Sequence, residues 1–176
     1  MSNTVAVFSS SRSNGNTGKL LANVASKINI DTISLSEYIF SDYDYEYKNQ
    51  GDDFLSLIDK VLAYENIIFA SPVYWYSVTP AMKTFLDRIS DLLELPHLLD
   101  TGRRLRGKTA YVLCSSASTE VSKSFISAFE ETFEYLGMFY GGYIHASCDE
   151  GYQAEHYAED LSGFTASLKT RRAYVS

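Results

Sequence analysis

Short apolar runs alternate with segments of helical periodicity along the chain. Thr4 to Phe8 (Thr-Val-Ala-Val-Phe) is continuous, β-rich and bounded by a Ser/Asn/Gly loop, which predicts a buried strand. After it, Asn16 and Thr17 offer caps for a helix whose Leu20, Leu21, Val24, Ala25 and Ile28 recur at helical spacing. Ile30 to Leu35 alternates as a second strand, and residues 41–51 are polar and rich in Tyr and Asp, a loop or turn. Asp52 and Asp53 open a helix with Phe54, Leu57, Ile58, Val61 and Leu62 on one face, their charges suited to the amino-terminal dipole. Ile67 to Ala70 is a third strand, and Pro80 to Leu93 a third helix with Pro80 in its first turn. Pro96 and Gly102 interrupt the chain before the basic run Arg103 to Lys108. A fourth strand over Thr109–Cys114, a fourth helix over Thr119–Leu136 closed by Gly137, a fifth strand within Phe139–Ala146 and a last helix from Gln153 to about Arg171 complete the pattern.

Strand and helix therefore alternate five times, with no internal repeat or linker, which predicts one domain over residues 1–176. Short apolar strands joined by amphipathic helices require a parallel sheet covered on both faces. The expected fold is α/β: a flavodoxin-like, doubly wound, five-stranded parallel sheet with helices on both faces. Such a sheet holds its ligand outside the strand carboxyl ends, where the strand order reverses. The chain has 176 residues, 45% of them hydrophobic, enough for a sizeable core. A net charge of −7 argues against nucleic acid, which needs a dense basic face. Cys114 and Cys148 are too few and too distant for a disulfide framework, so a reducing, cytoplasmic setting is expected. The first residues carry neither a basic region nor a long apolar run, so no signal peptide or membrane span is expected.

The first loop, Ser9-Ser10-Ser11-Arg12-Ser13-Asn14-Gly15-Asn16-Thr17, runs from a strand into a helix start. Hydroxyls, a glycine and orphan backbone N–H groups there favour an anion. Gly15-Asn16-Thr17-Gly18-Lys19 resembles the tail of a nucleotide-triphosphate loop, but Ser13 stands where the leading Gly belongs and Leu20 where a Mg²⁺-holding hydroxyl belongs. A dinucleotide G-x-G-x-x-G is absent as well. What remains is a hydroxyl-rich loop for a terminal monophosphate, as in FMN, with Ser10, Arg12, Asn14, Gly15, Asn16 and Thr17 as candidate contacts; a capped helix with a plain polar loop is the alternative.

The run Ser71-Pro72-Val73-Tyr74-Trp75-Tyr76-Ser77 follows the third strand, one of the two that flank the reversal point. Backbone groups of Pro72 to Ser77 suit the polar edge of an isoalloxazine, and Tyr74, Trp75 or Tyr76 its rings. Core packing or a subunit interface would use the same aromatics. Ser115, Ser116 and Ala117 follow the fourth strand and reach the same crevice, small enough for a flat ring to approach.

Together these loops resemble the FMN-dependent NAD(P)H oxidoreductases of the flavodoxin-like superfamily. Members commonly read Gly-Ser-Pro-Arg-x-x-Gly-Asn-Thr after the first strand; Ser10, Arg12, Asn16 and Thr17 match, while Ser9 and Ser11 replace Gly and Pro. The family's Ser-Pro-Val-Tyr-Trp and Lys-x-Phe-x-Asp-Arg occur as Ser71 to Trp75 and Lys83 to Arg88. An iron–sulfur branch places closely spaced cysteines before an Asp-Asp pair. Here Tyr43-Asp44-Tyr45-Glu46-Tyr47 precedes Asp52-Asp53 with no cysteine, and a cluster needs thiolates. The resemblance implies FMN as cofactor, NAD(P)H as co-substrate, a small-molecule electron acceptor such as a quinone or flavin, and a homodimer with the flavin near its interface. The chemistry then belongs to FMN, and no side-chain nucleophile or metal is expected. A flavodoxin-type electron carrier and a flavin-free regulatory domain of the same fold are the alternatives.

Other residues point elsewhere. His97, His145 and His156 lack metal-ligand spacing. The run Arg103 to Lys108 fits a solvated basic edge or, alternatively, the 2′-phosphate of NADPH. Lys83 and Asp87 are spaced for a surface ion pair, and Arg88 for a cap or a bridge to a second subunit. The tyrosine-rich stretch 38–47 reads as a lid or an interface.

Overall fold

The computed structural model describes residues 2–170; Met1 and residues 171–176, including the expected end of the last helix at Arg171, lie outside the described residues. Five parallel strands, β1 (Thr4–Phe8), β2 (Asp31–Ser34), β3 (Asn66–Pro72), β4 (Thr109–Ser116) and β5 (Phe139–Ser147), form one sheet in the order β2-β1-β3-β4-β5. The order reverses between β1 and β3, so the crevice belongs above their carboxyl ends.

Strand alternation divides the core into two layers. Val5, Val7, Ile67, Phe69, Ala110, Val112 and Cys114 face α2 (Phe54–Val61), α3 (Pro80–Arg88) and α6 (Lys123–Tyr135). Their alternates Ala6, Phe8, Ile68, Ala70, Tyr111 and Leu113 face α1 (Asn16–Ala25) and α7 (Ala158–Lys169). Both faces of the sheet are thus dry, as a parallel sheet requires. The short helices α4 (Asp91–Glu94) and α5 (Leu99–Arg103) lie in the connection to β4.

Several boundaries differ from the sequence reading, each for a local reason. The expected third helix is two: hydrogen bonds of the tighter i→i+3 kind, from Ile89 N to Leu86 O and from Ser90 N to Asp87 O, end α3 and place Asp91 against Arg88. The fourth helix begins at Lys123 rather than Thr119, because Ser122 is an extended amino-terminal cap residue. The last helix begins at Ala158, after a 3₁₀ turn over Ala154–Tyr157. β3 and β4 run two residues further at their carboxyl ends than expected, pairing Ser71 with Cys114 and Pro72 with Ser115. Pro72 is tolerated because it is the last residue of its strand.

A register shift at Ala110/Tyr111 faces Gly141 and Gly142 on β5. A Cβ on Gly141 would sit 2.2 Å from the Tyr111 ring, so only glycine lets that tyrosine reach Phe164 and donate to the Ser167 carbonyl.

Candidate functional site

Three loop segments meet at the carboxyl ends of β1, β3 and β4. They enclose a crevice of about 240 Å³ lined by Ser10, Arg12, Gly15, Asn16 and Thr17 from the first, Pro72, Val73 and Tyr74 from the second, and Ser115, Ser116 and Ala117 from the third, with Cys148 beside them. None of these side chains is acidic and Arg12 is basic, a local reversal of the chain's net charge of −7 that suits a phosphate.

The floor is α1. Its cap residue is Gly15, and no side chain caps its first turn; Asn16 and Thr17, expected as caps, are instead its first helical residues. Their side chains turn elsewhere. Asn16 Oδ1 accepts from the Tyr152 backbone N–H at 3.2 Å, and Thr17 Oγ1 shares a 2.7 Å hydrogen bond with Ser115 Oγ. The helix terminus therefore faces the crevice with its backbone donors uncapped, whereas α3 carries its own cap in Thr79, which accepts from Met82 N. An anionic group fits that end, which is the test a terminal phosphate must pass. The loop must also turn tightly: a Cβ on Gly18 would lie 1.8 Å from the Ser13 carbonyl oxygen. Gly18 was not among the residues expected to matter. A glycine one turn into a predicted helix was the available signal.

The walls are stitched by hydrogen bonds. Ser9 Oγ and Thr79 Oγ1 meet at 2.5 Å, Ser71 Oγ accepts from Thr79 N at 3.1 Å, and Val73 N donates to the Ser115 carbonyl at 2.9 Å. Ser11 Oγ reaches the Tyr74 hydroxyl at 3.2 Å, joining the first loop to the aromatic segment.

Tyr74 to Ser77 form a two-residue hairpin turn, with Tyr74 N donating to Ser77 O and Ser77 N to Tyr74 O. Its central residues Trp75 and Tyr76 have φ of 49° and 62°, the left-handed region that such turns need and that glycine or asparagine ordinarily fills. The turn carries Trp75 out to 95% exposure and Tyr76 to 70%. Asn14, Trp75, Tyr76 and Ser77 are not on the crevice wall. Tyr76 and Ser77 line a separate apolar groove between α3 and α6, with Val78, Leu86, Phe125 and Phe129.

Cys148 is a wall residue absent from the sequence reading. Burial raises its pKa, so the thiol stays protonated at neutral pH and is not a nucleophile. His145 was considered only as a metal ligand. Its Nε2 lies 2.8 Å from Ser116 Oγ, and burial lowers its pKa.

Three expectations move away from the site. Arg88, read as a cap or a bridge to another subunit, is fully buried within the chain. It bonds Asp52 at 2.6 Å, Asp91 at 2.8 Å and the Ser41 carbonyl at 2.9 Å. Asp52 and Asp53 accept from Ser41 N and Ile39 N, so this cluster pins the tyrosine-rich segment to α2 and α3; none of 38–47 lines the crevice. The basic run precedes β4, at the edge of the sheet opposite the crevice. There Arg104 pairs with Asp59 at 2.8 Å, and Lys108, buried, donates to the Tyr64 carbonyl. That position removes it from any ligand in the crevice. Lys83 and Asp87 do form the expected surface pair, at 2.5 Å.

Comparison with known proteins bears on what this crevice holds. The model of a family described as NADPH-dependent FMN reductase matches residues 3–153. YwqN of Bacillus subtilis (strain 168), provisionally named an NAD(P)H-dependent FMN-containing oxidoreductase, is 30% identical over 141 residues, covering 76% of this chain and 78% of its own. A structure titled as the Trp repressor binding protein of Bacillus subtilis superposes with a TM-score of 0.74 at 27% identity, over 96% of this chain and 99% of that one. General stress protein 14 of Treponema denticola, solved with FMN, gives a TM-score of 0.64 at 16% identity, over 94% and 99% of the two chains; this likeness is one of fold.

Proposed function

We propose, on the premise that this chain belongs to the NADPH-dependent FMN reductase family and is an FMN-dependent oxidoreductase with NAD(P)H as co-substrate, that its crevice is where FMN binds. The phosphate lies at the uncapped start of α1, held by Ser10, Arg12, Gly15, Asn16 and Thr17, with Asn14 at the loop's tip. The isoalloxazine lies between the segment Pro72 to Tyr74 and Ser115 to Ala117. The observation that carries this assignment is the convergence of these three segments on one crevice whose helix terminus has no cap of its own.

Bound FMN supplies hydride chemistry; the residues of the chain bind it, orient it and shape the field around it. The electron acceptor is a quinone, a free flavin or a similar flat molecule. The chain, 1–176, works as a single FMN-binding domain in the cytoplasm, a setting supported by two buried, unpaired thiols. It works there as a homodimer. Support comes from the apolar groove between α3 and α6, which Tyr76 lines at one end and which continues past Leu86 and Ala128 to Tyr135, itself 81% exposed.

The test is a visible spectrum of the purified protein reconstituted with FMN, followed by anaerobic NADPH. Bound flavin bands that bleach on addition support the assignment. Bands that resist NADPH but respond to dithionite point to an electron carrier, and absence of FMN binding overturns the site.

A further inference from the structure

Two-electron reduction of an acceptor A by NAD(P)H consumes a proton, NAD(P)H + H⁺ + A giving NAD(P)⁺ + AH₂, so a reductase crevice must be supplied with one. Ser116 lines the crevice, and its Oγ is hydrogen-bonded to His145 Nε2 at 2.8 Å. The His145 ring lines a second, larger cleft on the other side, between β5, the start of α6 and α7. The Ser116–His145 pair is thus a polar bridge through the wall between the two spaces, and its neighbours on that wall are main-chain bonds such as Cys148 N to Ser116 O.

We propose that Ser116 and His145 form a proton relay from this outer cleft to the electron acceptor, an inference that rests on the crevice being the FMN site. With Nε2 directed at Ser116, Nδ1 is the nitrogen left for the cleft. A proton taken up at Nδ1 from cleft water lets Nε2–H pass its proton to Ser116 Oγ. The serine in turn releases its own proton to the oxygen or nitrogen of the acceptor as that group gains the hydride. One proton enters, one leaves, and exchange of the ring protons with water resets the pair. Ser116 Oγ also lies 3.3 Å from the Ser118 carbonyl, which gives the hydroxyl proton a resting partner while His145 donates.

The groups that face His145 across the cleft are Glu120 and Lys123 ahead of and in α6, Tyr143 on β5, and Tyr157, Glu159 and Asp160 around the start of α7. Three carboxylates against one ammonium favour the imidazolium, while burial disfavours it. The ring is therefore neutral at rest near pH 7 and charges only in transit.

The relay predicts a split between half-reactions. Reduction by NAD(P)H delivers a hydride and needs no proton from the protein; reoxidation by a quinone needs one; reoxidation by the one-electron oxidant ferricyanide needs none. His145→Gln keeps an N–H donor for Ser116 but cannot relay. In stopped flow it should lower quinone reoxidation by about 100-fold, the low end for positioned proton transfer. It should also abolish the wild-type rise of that rate as pH falls through the His145 pKa. FMN affinity, reduction by NAD(P)H and ferricyanide reoxidation should keep their wild-type values. Quinone reoxidation at the wild-type rate with an unchanged pH profile would overturn the relay; so would a fall of all these quantities together, which marks a structural role. Ser116→Ala supplies a second variant, and nitrogen NMR of the FMN-free protein an independent readout. The tautomer and titration of one of the three histidines must change when Ser116 is replaced. If they do not, the relay is wrong whether or not the crevice binds FMN.

Discussion

Gly18 sets the shape of the loop between β1 and α1, because no other residue leaves room for the Ser13 carbonyl that crosses its Cα face. Gly18→Val should weaken FMN binding by about 100-fold, roughly 2.7 kcal/mol, measured by fluorescence titration of the apoprotein. The buried Arg88 makes a different kind of demand. Burial opposes its charge, yet Asp52 and Asp91 outweigh that and hold its pKa above the ordinary value. Removing it in Arg88→Ala leaves Asp91 buried without its cation, at a cost of about 3–5 kcal/mol in denaturant unfolding. For Asp52, burial raises the pKa, but bonds from Arg88, Ser41 N and Phe54 N prevail and leave it lowered. A lowered folded-state pKa means that Asp52 stabilises the fold above its ordinary value of 3.8, and that this stability drains away as pH falls through the lower folded value. Asp52→Asn should therefore destabilise at neutral pH and flatten the acid limb of the stability–pH curve. Asn16 and Thr17 could be picked from the sequence as marking the start of α1, though as caps rather than as its first helical residues. Arg88 could not: its amphipathic setting on α3 reads as surface until the Asp52–Asp53 helix start is folded against it.

The hairpin turn of Tyr74 to Ser77 holds two bulky residues in left-handed backbone, a strain of about 1–2 kcal/mol each. Replacing Trp75-Tyr76 by Asn-Gly should raise the stability of the FMN-free protein by about 2 kcal/mol in thermal unfolding. At the level of elements the sequence was informative wherever a hydrophobic period ran undisturbed, as in β1, β3, β4 and the apolar face of α2. It misplaced boundaries wherever a tertiary contact intervened. The helix read as Pro80 to Leu93 breaks where i→i+3 bonds from Ile89 N and Ser90 N tighten its last turn, and β3 runs on to Pro72 because β4 offers it Ser115 as a partner.

Across the whole molecule, the groove between α3 and α6 with Tyr76 at its end is the surface the proposed homodimer would cover. Tyr135→Glu, which sets a charge in that groove, should shift sedimentation toward the monomer and leave the far-ultraviolet circular dichroism unchanged. The alternation of strands and helices, the parallel two-layer core and the three loops that meet at one crevice were legible in the chain, because hydrophobic periodicity and cap chemistry are written over a few neighbouring residues. The joins between those loops were not. Thr17 meets Ser115 across 98 positions and Ser9 meets Thr79 across 70, and no local pattern records either contact. Tertiary structure alone decided that Trp75 points outward, that the basic run sits at the opposite edge, and that His145 backs Ser116. Each depends on strand order, register and the face a side chain takes, which emerge only when the entire sheet assembles.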